Sequence, residues 1–346
     1  MLRLFSKVAV AAVAMLIIVS ASHVPRATEA GAKAATAAQC QGHDMLVELA
    51  AKAPDVHRRV VEEGRALGNT DAVLWKIEKA GVSTSYLFGT MHLSDPRLTT
   101  LSTGVKEAIR QTKTLALEVA DLSDSAMATA MSKAADLITY KDGQTLQNKL
   151  TPEEYATVQA IVQKSGMPGE FAGMFKPWLV NMLLALSDCE RKKMAAGAQV
   201  LDMRVAEEAQ NNGAKVIGLE SIDQQLGALA KVPDDQQIQM LKVGLKYADR
   251  ADDMMETLVQ LYIKRQLGAA MPFQIALAAE QGVPASAFDG FKTSLLVDRN
   301  AKMRDAATVL LDQGPVFIAV GALHLPGPTG LVSLLRDAGF TVTPIE

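Results

Sequence analysis

The segments YLFGTMHLSDP and IAVGALHLPGP lie near opposite ends of the chain and share one pattern. In each, an apolar run leads into Gly-x-x-His-Leu-x-x-Pro, with Gly89 and His92 in the first copy and Gly321 and His324 in the second. A short apolar run bounded by glycine predicts a buried strand, and the glycine permits a tight turn or close backbone approach. Because α/β proteins usually hold ligands on loops that follow strands, the pair predicts that both histidines face one cleft.

The surroundings of the two motifs predict an α/β fold. A helical pattern and then a second strand follow each motif, and helical periodicity dominates from about residue 123 to residue 298. Inside that region Thr151, followed by Pro152 and Glu154, is typical of a helix start. We therefore predict a single domain over residues 38–346: a pseudo-symmetric, duplicated β-(GxxH)-α-β core with a large helical insertion.

The first 37 residues have the layout of a secretory signal peptide and flexible leader. Arg3 and Lys7 precede an apolar run over residues 8–19, and small residues follow it. That run is shorter than the roughly 20 residues of a transmembrane helix. We expect export to the periplasm or the extracellular space, without a stable membrane span after cleavage. A leader that stays uncleaved would instead anchor the protein, and the cleavage position is left open.

Cysteine content and charge bear on compartment and partners. An exported chain whose only cysteines are Cys40 and Cys189 predicts one structural disulfide, the alternative being two unrelated thiols. The formal net charge is −3, and no basic stripe with interleaved aromatic residues occurs, which excludes nucleic acid as an expected partner. The chain also lacks the His-Glu-x-x-His, Gly-x-Ser-x-Gly, Walker and Gly-x-Gly-x-x-Gly motifs, which disfavours serine-hydrolase, nucleotide-driven and dinucleotide chemistry.

The segment TLALEV supplies a candidate third group for the two histidines. Its alternation predicts a strand in which Glu118 is the one charge among apolar residues. A buried carboxylate needs a cation or a metal ion, although a salt-bridged or edge-strand position is the simpler explanation. Two histidines and one carboxylate are typical ligands of zinc, manganese, cobalt or iron, which activate water or polarise a carbonyl. We therefore predict a metal site formed by His92, His324 and Glu118, although either histidine alone could be purely structural.

Five segments of the chain resemble the TraB/GumN family, which is related to the Tiki metalloproteases. They are LWKIEKAGVSTSYLFGTMHL, LALEVAD, KVIGLESIDQQL, LLVDRNAKM and VFIAVGALHLPGPTGLVSLLRDAGFTV. The resemblance extends from about Leu74 to Val342 and implies an α/β core with a helical insertion. Through the Tiki relatives it also implies a membrane-associated, metal-dependent peptidase that favours manganese or cobalt.

The resemblance also assigns roles to individual residues. It makes His92 and His324 the motif histidines, Glu118 the acidic residue of the site and Arg299 the arginine of an Arg-Asn motif. Glu118 would either ligate the metal or act as general base, and Arg299 would hold a substrate carboxylate or stabilise a developing oxyanion. The stretch that contains Glu220 and Gln225 would support these residues from behind.

Two principal functions remain open from the sequence. The first is an exported metal-dependent hydrolase, specifically a peptidase, that acts on a peptide or protein. The alternative is a non-catalytic protein that binds or sequesters a peptide or small ligand in the same cleft. A more distant third is a hydrolase of a non-peptide ester.

Overall fold

The computed structural model describes residues 40–121, 123–141 and 143–346, and the predicted signal peptide and leader lie outside this range. The described residues form a six-stranded sheet in the order β4-β3-β5-β2-β1-β6. The strands are β1 (Leu74–Lys79), β2 (Val82–Thr90), β3 (Thr114–Leu117), β4 (Lys215–Gly218), β5 (Val316–Gly321) and β6 (Thr341–Pro344).

Strands β4, β3, β5 and β2 are parallel neighbours, whereas β1 pairs antiparallel with both β2 and β6. The two motif strands, β2 and β5, lie side by side, and Thr90 is in register with Gly321. Both Gly-x-x-His loops therefore leave the sheet at the same edge. The strands that follow them are placed differently, since β3 lies on the far side of β5 while β6 lies beyond β2 and β1. The mixed α/β class is confirmed, and the pseudo-symmetric duplication stays a prediction.

Helices form most of the remaining described chain, and β4 is the strand that interrupts the helical region between β3 and β5. The predicted helix start at Thr151 is confirmed as a capping box, in which Thr151 and Glu154 each accept a hydrogen bond from the other's backbone N–H. The α-helices are Met45–Lys52, Pro54–Ala66, Pro96–Thr99, Thr103–Arg110, Asp124–Lys133, Ala135–Ile138, Pro152–Lys164, Pro177–Leu184, Asp188–Ala195, Leu201–Asn211, Ile222–Lys231, Asp234–Lys246, Ala251–Ile263, Ala270–Glu280, Asp289–Phe291, Asp298–Leu311 and Leu331–Asp337.

Apolar side chains pack on both faces of the sheet. On strand β5, Phe317 packs with one cluster that includes Val105 and Val205, and Ile318 packs with another that includes Met303 and Leu335. This alternation follows from the two-residue period of a strand. A strand that is buried on both faces reads as a continuous apolar run, as β5 does. The helical region has a further core of its own, centred on residues such as Trp178 and Val162.

The helix that carries Arg299 begins earlier than its sequence pattern predicts. The amphipathic pattern of residues 299–311 predicts a helix over that span alone. The chain is instead helical from Ala285 and passes through a π-helical stretch, Lys292–Val297, before Asp298–Leu311. Stretches of π-helix inside α-helices are frequently found at functional sites. Here the stretch ends at Val297, shortly before Arg299 and Asn300, which are both buried.

The predicted disulfide is confirmed, with Cys40 and Cys189 joined and their Cα atoms 5.7 Å apart. It attaches the start of the described chain to the helix Asp188–Ala195. Within the described residues, no helix combines the length and the apolar character that crossing a membrane requires.

Candidate functional site

Four candidate side chains follow four adjacent parallel strands at their carboxyl ends. Across the sheet, Glu220 follows β4, Glu118 follows β3, His324 follows β5 and His92 follows β2. Strand β3 ends at Leu117, so Glu118 is the first residue beyond the strand rather than a member of it. Open parallel sheets bind ligands at this edge, and the topology therefore places the predicted groups where a ligand site is expected.

Glu118 is buried, and both of its carboxylate oxygens accept hydrogen bonds. Arg299 Nη2 and Gln225 Nε2 donate to Oε2 at 2.6 and 2.9 Å, and the Gly321 N–H donates to Oε1 at 2.6 Å. Burial by itself would raise the pKa of Glu118, but His324 and His92, which are protonated at the low pH where this carboxyl group titrates, together with Arg299 and the Gly321 N–H lower it to about 2. The sequence predicts that this carboxylate needs a cation or a metal, and Arg299 is the cation.

Arg299 bridges Glu118 to a second buried carboxylate. Its Nε lies 3.0 and 3.2 Å from the two carboxylate oxygens of Glu220, and its Nη2 also contacts Glu220. Gln225 donates to Glu220 at 3.2 Å as well as to Glu118, so the predicted supporting position of Glu220 and Gln225 is observed. One guanidinium between two carboxylates leaves this buried cluster with an excess negative charge.

His324 is buried and held in one orientation. Asn300 Nδ2 donates to the Thr329 carbonyl at 2.8 Å, so Asn300 Oδ1 is the atom that faces His324 Nδ1 at 2.6 Å. This network assigns the proton to Nδ1 and leaves a lone pair on Nε2. Burial lowers the pKa of His324 to about 4, which keeps the imidazole neutral at pH 7. Nε2 lies 3.6 Å from Glu118 Oε1, too far for a hydrogen bond, so two electron-pair donors face each other.

His92 has different surroundings. Its side chain is 68% exposed, and its Nδ1 lies 2.9 Å from Asp202 Oδ2. Attraction to the Asp202 carboxylate raises the pKa of His92. The sequence pattern treats the two histidines as equivalent, whereas the structure shows one buried and held by an amide and the other exposed and paired with an acid.

A divalent metal ion needs ligand atoms at a suitable spacing and favours negatively charged surroundings. Two ligand atoms 3.6 Å apart fit one ion at about 2.1 Å from each, with an angle of about 120° between them. The excess negative charge of the cluster also favours a cation. Glu118 and His324 therefore fit a metal, whereas His92 is not within 4.8 Å of both, since among the described residues only Cys40, Cys189 and Asp252 group that closely. The sulfurs of that group form the disulfide and offer no thiolate.

Glycine is required at both motif positions because other atoms lie close to the place that a Cβ would occupy. A Cβ on Gly321 would lie 3.1 Å from Glu118 Oε1, and a Cβ on Gly89 would lie 3.0 Å from the Cα of Ala322. Glycine at these positions lets the second motif loop sit against both the carboxylate and the neighbouring strand, as its placement after an apolar run predicts.

A cavity of about 580 Å³ adjoins the cluster on the side of β3 and β4. It is lined by residues that follow Glu118, by residues around Glu220 and by the helix Asp124–Lys133. Its volume is in the range of pockets that bind small molecules, about 300–1,000 Å³. The candidate site therefore has space beside it for part of a ligand.

Two residues that contact the motif histidines, Asp202 and Asn300, were not identified from the sequence. Asn300 follows Arg299 directly in the RN segment, which could have suggested it. Asp202 lies in the first turn of the helix Leu201–Asn211, where an acidic residue is favourable in any helix. Its sequence context therefore gave no signal of a contact 110 residues away.

Comparisons with known proteins give two kinds of relatives. The chain is 25% identical over 317 residues to "Metalloprotease TIKI1" of Danio rerio, which covers 79% of this chain and 63% of that protein. It is 24% identical over 256 residues to "Uncharacterized protein YbaP" of Shigella flexneri, which covers 73% of this chain and 88% of that protein. The chain thus spans about three fifths of the TIKI1 length. No solved structure matches it.

The TraB/PrgY/gumN family matches residues 73–344. This match begins one residue before β1 and ends with the last residue of β6, so it contains the whole sheet. It also contains the four edge side chains, Arg299 and the residues that hold the histidines. The chain therefore belongs to the TraB/PrgY/gumN family.

Proposed function

We propose that this protein is an exported, metal-dependent hydrolase that cleaves a peptide or protein. The observation that carries the proposal is the buried pair of electron-pair donors, His324 Nε2 and Glu118 Oε1, beside a cluster with excess negative charge. These two residues would hold the metal, and His92, on the adjacent motif loop, would be the third ligand. Family resemblance favours manganese or cobalt, and zinc and iron also suit imidazole and carboxylate ligands.

When bound, a metal at this position would supply activated water at neutral pH. The protein's own residues would position and support it. Asn300 keeps the proton of His324 on Nδ1, and Gly321 and Arg299 keep Glu118 ionised. Glu118 would then be a metal ligand or accept a proton from the water, the two roles that the sequence leaves open.

For Arg299 we propose a structural role in place of contact with substrate. Its Nε and Nη2 donate to Glu118 and Glu220, and its Nη1 lies 3.4 Å from the Leu295 carbonyl. A buried guanidinium engaged on these atoms is poorly placed to bind a substrate carboxylate. It instead fixes the carboxylate that faces His324.

Peptide or protein as substrate is supported by the similarity to a protein named Metalloprotease TIKI1 and by the cavity beside Glu118. Export is supported by the disulfide, since such bonds persist in oxidising compartments, and by the predicted signal peptide. We propose the periplasm or the extracellular space, with a membrane anchor only if the leader is retained.

The proposal includes the duplicated origin of the β2 and β5 units, which carry the same motif.

The alternative function, binding of a peptide or small ligand without catalysis, is favoured by one observation. Arg299 already pairs with Glu118, so the burial of this carboxylate does not by itself require a metal. The same cavity would then hold a ligand that is not cleaved.

Metal binding tests the proposal directly. The purified full chain, incubated with Mn²⁺ or Co²⁺ and dialysed, is expected to retain about one ion per chain and to cleave a quenched fluorescent peptide mixture. His324→Ala is expected to weaken metal affinity about 100-fold, because it removes a ligand rather than a residue that orients one. Metal content by mass spectrometry and cleavage rate are the measurements.

His57→Ala is the matched control, because His57 lies on the helix Pro54–Ala66 and contacts none of these residues in the described structure. Unchanged metal content and activity in both His92→Ala and His324→Ala would overturn the proposal. Retention of labelled peptides by the metal-free protein, with no turnover under any metal, would favour the binding function.

A further inference from the structure

We propose that Asp202 is a positioning residue for His92, holding the Nδ1 side of the imidazole so that Nε2 is presented to the cleft. The expected effect of Asp202 on metal affinity rests on the proposed function. The expected effect of Asp202 on the orientation of His92 rests on the contacts alone and requires no metal.

Asp202 is itself held in place on both carboxylate oxygens. Oδ1 accepts a hydrogen bond from Thr90 Oγ1 at 2.6 Å, and Oδ2 lies 2.9 Å from His92 Nδ1. Its side chain is 16% exposed, far less than that of His92. The helix that carries Asp202 is also tied to the motif loop, because the Leu201 N–H donates to the Leu93 carbonyl at 3.1 Å. An oxygen held by its own partners thus meets an imidazole that is largely exposed.

The second motif histidine has the same arrangement with different chemistry. Nδ1 of His324 faces Asn300 Oδ1, and Asn300 is held by its hydrogen bond to the Thr329 carbonyl. Asn300 and Asp202 lie on different helices, Asp298–Leu311 and Leu201–Asn211. In both motif imidazoles, Nδ1 therefore contacts an oxygen that is itself held by a hydrogen bond. In both, Nε2 is the nitrogen that remains for a ligand.

An ordinary surface ion pair between Asp202 and His92 is the competing explanation. Such a pair would contribute little to stability and would depend on the carboxylate charge. A positioning role depends instead on an oxygen at the right place, as the amide of Asn300 illustrates. Asp202→Asn separates the two explanations, since its amide oxygen can accept from Nδ1 while its amide N–H donates to the Thr90 hydroxyl.

The first test observes the metal-free full chain labelled with ¹⁵N-histidine. We expect a downfield, slowly exchanging Nδ1–H resonance of His92, assigned by its loss in His92→Gln. It is expected to persist in Asp202→Asn and to disappear in Asp202→Ala. Thermal unfolding followed by circular dichroism verifies that each variant is folded.

The second test measures Co²⁺ affinity by absorption titration. Asp202→Ala is expected to weaken binding about 10–100-fold, the usual effect of removing a group that orients a metal ligand. Asp202→Asn is expected to stay within about threefold of the parent. Asp55→Ala, which removes a carboxylate that is 86% exposed and paired with Arg58, is the matched control and is expected to change nothing.

The possible outcomes distinguish this inference from the proposed function. If Asp202→Ala keeps both the Nδ1–H resonance and the Co²⁺ affinity, the positioning role is wrong. If Asp202→Asn loses the resonance as Asp202→Ala does, the contact depends on charge and the positioning role is also wrong. A parent protein that shows the expected resonances but binds no Co²⁺ overturns the metal site and supports the role of Asp202 in orienting His92.

Discussion

Replacing Arg299 with methionine is expected to lower the free energy of unfolding by about 3–5 kcal/mol, the usual cost of breaking a buried ion pair on one side. Methionine keeps much of the length and volume of arginine but not its charge. The substitution leaves Glu118 and Glu220 buried together without the cation that now lies between them. Urea denaturation at pH 7, followed by circular dichroism, measures the loss.

Two controls identify the cause. Arg304→Met lies on the same helix and breaks only a contact with the exposed Asp305, so a loss below about 1 kcal/mol is expected. Adding Glu118→Gln and Glu220→Gln to Arg299→Met removes the uncompensated charges, and we expect this triple variant to recover much of the stability. An Arg299→Met protein within 1 kcal/mol of the parent would contradict the buried-charge explanation.

The same substitution is expected to change how stability depends on pH. In the parent, the pKa of Glu118 is lowered from 4.5 to about 2, so its contribution is present above about pH 4.5 and lost as the pH falls toward 2. Without Arg299, one of the charges that lower the pKa of Glu118 is lost, so its pKa lies closer to the ordinary value and the variant loses less stability than the parent as the pH falls. The stability gap between parent and variant should therefore narrow from pH 7 to pH 4, and a constant gap would contradict this assignment.

The parts of the site that follow from local patterns could be predicted from the sequence. Gly89 and Gly321 precede their histidines at the ends of apolar runs, and alternation singles out Glu118 as a charge in an apolar segment. The capping box at Thr151 is equally local. Each of these signals depends on a few neighbouring residues, and each corresponds to a feature of the structure.

The partners of those residues could not be predicted by the same means. Glu118 and Arg299 are separated by 181 positions in the sequence but form a hydrogen bond in the fold. They come together because β5 lies between β2 and β3 in the sheet, and no local sequence pattern specifies that strand order. The sequence therefore left open whether a metal ion or a positively charged side chain pairs with Glu118. Only family resemblance suggested Arg299. The different environments of His92 and His324 depend on Asp202 and Asn300, which approach from separate helices.

The contact between Glu118 and Arg299 changes the physical argument for a metal. The charge of Glu118 is satisfied by Arg299, so burial of a lone carboxylate no longer requires an ion. What supports a metal is the remaining geometry: an imidazole lone pair, fixed by Asn300, that faces a carboxylate oxygen with no proton between them. The metal argument thus depends on the orientation of His324 rather than on the mere presence of a buried acid.

Removing the disulfide, by Cys40→Ala with Cys189→Ala, is expected to lower the free energy of unfolding by about 4–5 kcal/mol. The cysteines are separated by 149 positions, and closing a loop of 100 residues or more restricts the unfolded chain by about that amount in the chain-entropy model. The folded segment should nevertheless stay in place, because Met45 N–H donates to Thr257 Oγ1 at 2.8 Å and Lys264 pairs with Asp44. The loss should thus come mainly from the unfolded state.

Urea denaturation with and without dithiothreitol measures this effect. The parent is expected to lose stability on reduction, whereas the double alanine variant should be insensitive to the reductant and match the reduced parent. Exchange of the Met45 amide hydrogen in the folded variant should remain close to that in the parent, since its hydrogen bond to Thr257 Oγ1 is retained. Reaction of both cysteines with a thiol reagent in the unreduced, folded protein would show that the bond does not form.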